Sequence, residues 1–167
     1  MCNDDQPVHA VASGQELRGL SVGRWPLGRK GAYAKLLRII PLEADEAILM
    51  SGGIEVQFLR VLNPLVGAMY VSPKRACLLW LPPGGARAWI VPRECLMAVE
   101  NHAFFIWLTA RVGGRQRTLK IAPANFRRGT MPPTPGDGAA QLHDRLGPTE
   151  MYEALKRWRT APDTVLP

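Results

Sequence analysis

The sequence lacks the residue groups that most often carry catalysis or metal binding. Its three histidines are scattered without metal-ligand spacing, and its three cysteines form no C-x-x-C pair. No paired carboxylates, phosphate-binding P-loop or convincing nucleophile–base arrangement stands out. We therefore expect no catalytic residues, no metal and no cofactor, and a protein that is not an enzyme.

Two further absences concern the membrane and the cell compartment. No apolar run approaches the roughly 20 residues needed to span a bilayer. The N-terminus, Met-Cys-Asn-Asp-Asp-Gln-Pro, lacks the apolar segment of a signal peptide. Cys77 and Cys95 lie inside apolar strand patterns, which favours buried free thiols in a reducing compartment. We expect a cytoplasmic protein whose membrane contact, if any, is peripheral and at the inner membrane.

Acidic residues are few, with 14 against 21 basic residues and a formal net charge of +7. Such a surface favours anionic partners: nucleic acid, phospholipid headgroups or an acidic protein face. The 167 residues have room for one domain with a proper core. The 15 prolines and 16 glycines divide the chain into short segments, which indicates strands and turns over a helical bundle.

The central part of the chain predicts a mainly β (α+β) fold built on seven short strands. Gly113 and Gly114 separate the last two strands and suit a type I′ turn, which places Val112 opposite Arg115 and Trp107 opposite Lys120. The predicted strands are Ile54–Val61, Gly67–Val71, Cys77–Leu81, Arg87–Val91, Cys95–Val99, Phe104–Val112 and Arg115–Ile121.

The two ends of the chain are predicted separately. Residues 1–30 are polar without a period and predict a tail or irregular cover before a single domain at 31–167. Gly31–Ile40 fits a short helix better than a strand. Residues 123–138 are rich in proline and glycine and predict a flexible loop. An amphipathic helix is expected over 149–159, with Trp158 on its apolar stripe.

One dense pattern lies between Gly67 and Val99. It reads Gly-Ala-Met-Tyr-Val-Ser-Pro-Lys-Arg from Gly67, then an apolar hairpin, then Trp-Ile-Val-Pro-Arg-Glu-Cys-Leu-Met-Ala-Val from Trp89. This resembles the centre of bacterial pleckstrin-homology (PH-like) and GRAM domains. Their pattern runs roughly "Gly, aromatic, aliphatic, Thr/Ser-x-x-Arg, hydrophobic strand, hydrophilic turn, Ile-Pro-x-x-x-Ile-x-x-Val".

The resemblance covers roughly Ile48 to Arg159 and implies a fold. PH-like domains are strongly bent, seven-stranded antiparallel sandwiches or barrels capped at one end by a C-terminal helix. As a family they serve in scaffolding and self-association as well as near membranes. In lipid-binding members the loop after the first strand carries clustered Lys and Arg, whereas the matching segment here offers only Arg60.

A binding site, if present, is expected among clustered basic residues that could contact phosphate oxygens or acidic side chains. We expect a non-enzymatic protein-interaction or adaptor module, with homo-oligomers possible. The alternatives are peripheral binding to anionic lipid through a basic face and, third, nucleic-acid binding. The candidate residues are Arg60, Lys74, Arg75, Arg111, Arg115, Arg117, Arg127 and Arg128.

Aromatic residues raise the question of a stacking surface for nucleic acid. Phe104 and Phe105 fall on opposite faces of a predicted strand, so one of them could be exposed, with Trp107 nearby. Packing in the core is nevertheless the favoured prediction for this run.

Overall fold

The computed structural model of the protein describes residues 12–23, 29–57, 63–129 and 145–161. Within these ranges the chain is mainly β, and all strand pairs between neighbours in the sheet are antiparallel. The elements are β1 (Gln15–Leu20), α1 (Arg29–Ile39), β2 (Met50–Gln57), β3 (Leu65–Val71), β4 (Arg75–Trp80), β5 (Ala86–Pro92), a 3-10 turn (Arg93–Cys95), β6 (Leu96–His102), β7 (Phe105–Val112), β8 (Arg115–Arg128) and α2 (Pro148–Thr160).

The eight strands form one curled sheet, a half-barrel with the strand order β1-β5-β4-β3-β2-β8-β7-β6. Gly14, just before the edge strand β1, bridges to β7 next to the β7–β8 turn and so helps to close the curled sheet. Its N–H donates to the Arg111 carbonyl at 2.8 Å, and its carbonyl accepts from Gly113 N at 2.9 Å. A Cβ at position 14 would lie 2.8 Å from the Ile90 carbonyl oxygen, so this close approach requires glycine.

The concave side of the sheet holds the larger core, and α2 closes it. The helix begins with Pro148 at its first turn and buries Met151, Leu155 and Trp158 in one apolar stripe. Trp158 also donates its indole N–H to the Ser72 carbonyl at 2.8 Å. This buried N–H would otherwise lack a hydrogen-bond partner. The predicted C-terminal helix and its packing are thus confirmed.

The convex side of β2–β4 is covered by α1. Tyr33, Leu36 and Ile40 pack against Tyr70 and neighbouring small and aliphatic residues in a second buried cluster. The helical prediction for Gly31–Ile40 is therefore confirmed. Neither helix in the described part of the chain is long and apolar enough to cross a membrane.

Two predictions about the extent of the sheet are wrong. The irregular cover expected over residues 1–30 contains β1, which pairs with β5, while residues 1–11 and 24–28 lie outside the described ranges. The loop expected over 123–138 begins too early, because β8 continues to Arg128. A bulge in the pairing of β2 with β8, where Ile54 faces Pro123, lets the strand continue past the proline. Residues 130–138 lie outside the described ranges.

The β7–β8 hairpin has the predicted register. Val112 faces Arg115 and Trp107 faces Lys120. Gly113 and Gly114 have φ of 60° and 75°, the positive values that this two-residue turn demands. The free thiols of Cys77 and Cys95 are buried, as predicted. Burial raises the pKa of Cys77 to about 11, so this thiol stays protonated and unreactive near neutral pH.

Candidate functional site

The predicted basic residues do not form one patch. Arg60 lies outside the described ranges. The other seven are two guanidiniums that hold the fold together, three exposed residues, one half-buried residue and one buried residue. The structure corrects the placement of Arg127 and Arg128, which occupy the end of β8 rather than a loop.

Arg75 is a structural residue. Its Nε and Nη2 atoms donate to the two carboxylate oxygens of Glu46, each at 2.8 Å, and Nη2 also donates to the Pro41 carbonyl at 2.9 Å. Burial alone would raise the pKa of Glu46, but the hydrogen bonds from Arg75, the Glu43 N–H and Ser72, together with the charge of Arg75, outweigh it and hold that pKa at about 2. This pair fastens the segment after α1 to the start of β4, so Arg75 is not available to a ligand.

Arg117 is also engaged within the fold. It donates to the Glu16 carboxylate of β1, and its guanidinium lies 5.5 Å from the centre of the Trp89 ring. Burial would raise the pKa of Glu16, but hydrogen bonds from Arg18 and Arg117 lower it. This contact ties β1 to β8 near the site where the sheet closes. Arg111 on the same hairpin is half-buried, and Arg115 is exposed.

Lys74 lines a cavity of about 570 Å³ between the β3–β4 turn and the 3-10 turn. Its described lining carries both signs of charge, since Glu43 and Glu94 accompany Lys74, Arg75 and Arg93. Arg93 is engaged, because it donates to the Ala161 carbonyl. Such a mixed lining does not select an anion.

Arg128 and Arg157 flank a second, smaller groove, and this feature was missed at the sequence level. The groove has about 280 Å³ and lies between α2 and the paired strands β2 and β8. Both arginines are exposed, whereas Met50 and Trp158 beneath them are buried. We call this the α2 groove; its described lining is Leu49, Met50, Arg128, Ala154, Arg157, Trp158 and Ala161.

The α2 groove joins an apolar floor to two guanidiniums, and its described lining contains no acidic residue. The Arg157 side chain is held only loosely, by a long 3.4 Å hydrogen bond from Nε to the Glu153 carbonyl of its own helix. The guanidiniums of Arg128 and Arg157 can therefore turn toward a carboxylate or phosphate group of a ligand. Nothing in the sequence pairs Arg157 with Arg128, because the two residues are brought together only by the packing of α2 beside β8.

The predicted packing of Phe104 in the core is wrong. Phe104 sits in the β6–β7 turn with 77% of its surface exposed. Trp107 is flanked by the imidazole of His102, stacked at 4.0 Å, and by Lys120 Nζ at 4.5 Å. Since those residues come from the strands on either side of β7, they cover both faces of the indole. A nucleic-acid platform needs successive free rings, and this surface offers Phe104 alone among the described rings.

The described residues contain no group of three or more His, Cys, Asp or Glu side chains that could hold a metal ion. Comparisons of the chain with models of protein families, with curated proteins and with solved structures found no match.

Proposed function

We propose that the chain is a non-enzymatic, PH-like interaction module whose α2 groove docks an acidic, partly apolar segment of a protein partner. The observation that carries this proposal is the pair of exposed arginines over an apolar floor, with no acid in the described lining. Apolar area supplies affinity, and charge-assisted hydrogen bonds supply orientation.

The architecture supports the PH-like part of the proposal. Strands β2 to β8 are seven in number and curl around a core that α2 closes. This is the arrangement that the resemblance implies, with β1 and α1 as additions outside it. The adaptor role follows from the site, because a shared fold alone does not fix a function.

The charge and shape of the groove favour a protein segment over a bare polyanion. Apolar and aromatic atoms form its floor, and a nucleic-acid backbone would leave them uncovered. An aspartate or glutamate next to an aliphatic or aromatic residue would match both features. Each charge-assisted hydrogen bond contributes about 1.5–3 kcal/mol, so two arginines are enough to decide which segments bind.

The proposal is tested with a phage-displayed library of random peptides selected on the wild-type protein. We expect enrichment of acidic residues beside apolar ones. The variant Arg128→Glu/Arg157→Glu should weaken the selected peptides at least about tenfold in Kd, which corresponds to about 1.4 kcal/mol. Isothermal calorimetry measures the change.

A matched control separates the groove from the general charge of the protein. The variant Arg38→Glu/Lys156→Glu makes the same change in net charge at two exposed residues outside the α2 groove. It should retain wild-type affinity. Equal losses in the two variants, or selective binding to anionic vesicles or to single-stranded oligonucleotide in place of peptide, would overturn the adaptor assignment.

A further inference from the structure

Arg127 is a buried cation that has no counter-charge among the described residues. Only 5% of the residue is exposed, and its Nε is fully buried without a hydrogen-bond partner. No salt bridge is formed by this guanidinium within the described ranges. An arginine removed from water is normally paired, because the loss of hydration is costly unless a partner offsets it.

A second arginine lies directly beside it. Arg145 forms an antiparallel β-bridge with Arg127, and the neighbouring Leu146 N–H donates to the Phe126 carbonyl at 2.9 Å. Bridged residues point to the same face, with Cβ atoms about 5 Å apart. Like charges in that position repel, and neither arginine forms a salt bridge with an acid of the described ranges. The bridge therefore sets the exposed Arg145 next to the buried Arg127 on one face of the sheet, where an anion would be attracted to both charges.

Polar groups on the same face complete the surroundings. Ser51 is the partner of Arg127 on the β2 side, and its hydroxyl donates to the Gly129 carbonyl at 2.8 Å. Asn125 lies two residues earlier on β8, and its buried Oδ1 atom lacks a partner in the described structure. Arg128 differs, because its neighbour on β2 is the core residue Met50 and its side chain borders the α2 groove on the other face.

We propose that Arg127 and Arg145 form a binding site for a single phosphate-like oxyanion, distinct from the α2 groove. Two guanidiniums match the roughly −1.5 to −2 charge of a phosphate monoester and can hold its oxygens through paired N–H donors. The burial of Arg127 limits the site to a small group. That group is either free phosphate or a phosphomonoester headgroup, and the two share the same recognition chemistry.

The test is thermal unfolding in inorganic phosphate and in sodium chloride of equal ionic strength. Phosphate should raise the Tm of the wild type by about 5–10 °C at about a hundred times its Kd. Arg127→Met should abolish this rise, and Arg145→Met should reduce it. Arg128→Met, the adjacent residue on the opposite face, is the matched control and should keep the full rise.

A second experiment, co-sedimentation with vesicles containing phosphatidic acid, distinguishes free phosphate from a lipid headgroup. A rise in Tm with inorganic phosphate that Arg127→Met abolishes supports a free anion. Co-sedimentation with the vesicles that Arg127→Met abolishes, without a response to free phosphate, supports the headgroup. A wild type that responds to neither probe, or an Arg127→Met variant that responds as the wild type does, would overturn the site. Peptide binding in the α2 groove does not involve Arg127, so the two proposals fail separately.

Discussion

Arg75 and Arg127, whose side chains are both largely removed from solvent, have opposite surroundings. Arg75 keeps 14% of its side chain exposed and engages both carboxylate oxygens of Glu46, whose side chain is 3% exposed. Arg127 is at least as deeply buried and faces no described acid, while a second arginine stands opposite it. The same side chain therefore holds two elements together at one site and leaves hydrogen-bonding capacity unused at the other.

This contrast offers a way to sort the basic residues. A guanidinium with a carboxylate partner contributes to the fold, as Arg75 and Arg117 do. Exposed guanidiniums bordering apolar surface, such as Arg128 and Arg157, are suited to binding. Counting positive charges along the sequence cannot separate these cases, because the distinction depends on which acids the fold brings close.

The largest effect in this comparison of Arg75 with Arg127 is expected when Arg75 is replaced. Arg75→Met leaves the buried Glu46 without its partner and should lower the free energy of unfolding by about 3–5 kcal/mol, measured by denaturant titration. The double variant Arg75→Met/Glu46→Leu removes both charges and should recover much of the loss. Equal losses in the single and double variants would mean that the ion pair is not the reason for the burial.

Lowering the pH should gradually break the Arg75–Glu46 ion pair by protonating Glu46. The pKa of Glu46 is about 2 in the folded protein and 4.5 ordinarily, so the unfolded state binds the proton more tightly. Its stabilisation is present above pH 4.5 and is lost as pH falls toward 2, by about 3 kcal/mol in total. Glu46→Gln should lack this component. The test compares the pH dependence of unfolding free energy for the two proteins, and identical slopes below pH 4.5 would contradict the assignment.

The smallest expected effect concerns Arg117, which is 31% exposed. Arg117→Met removes an ion pair and a cation–π contact but leaves Glu16 with Arg18, so we expect a loss of about 1 kcal/mol. Arg115→Met on the same hairpin is the control and should change stability by less than about 0.5 kcal/mol. If Arg117→Met lowered the free energy of unfolding as much as Arg75→Met does, the Arg117–Glu16 and Arg75–Glu46 pairs would not differ in their contribution to stability.

Local chemistry allowed much of the fold to be predicted. The register of the β7–β8 hairpin followed from Gly113 and Gly114, because few other residues adopt positive φ at both turn positions. Helix α2 followed from its leading proline and its apolar stripe. Both features depend on residues close together in sequence, so they can be recognised without knowledge of the rest of the chain.

The failures involve contacts between distant segments. β1 is a half-exposed edge strand whose pairing depends on β5 and on the close approach of Gly14, so its own sequence shows little periodicity. Pro123 usually ends a strand, and here a bulge in the β2–β8 pairing accommodates it. The Arg127–Arg145 bridge and the α2 groove each join residues that are far apart in sequence. Neither could be derived from local pattern.

The most direct test of this contrast is to measure the stability of Arg75→Met and Arg127→Met side by side in phosphate-free buffer. Arg75→Met should unfold at a much lower denaturant concentration than the wild type. Arg127→Met should be as stable as the wild type or more stable, because it removes an uncompensated buried charge and retains apolar packing. A loss of stability in Arg127→Met comparable to that in Arg75→Met would contradict the account.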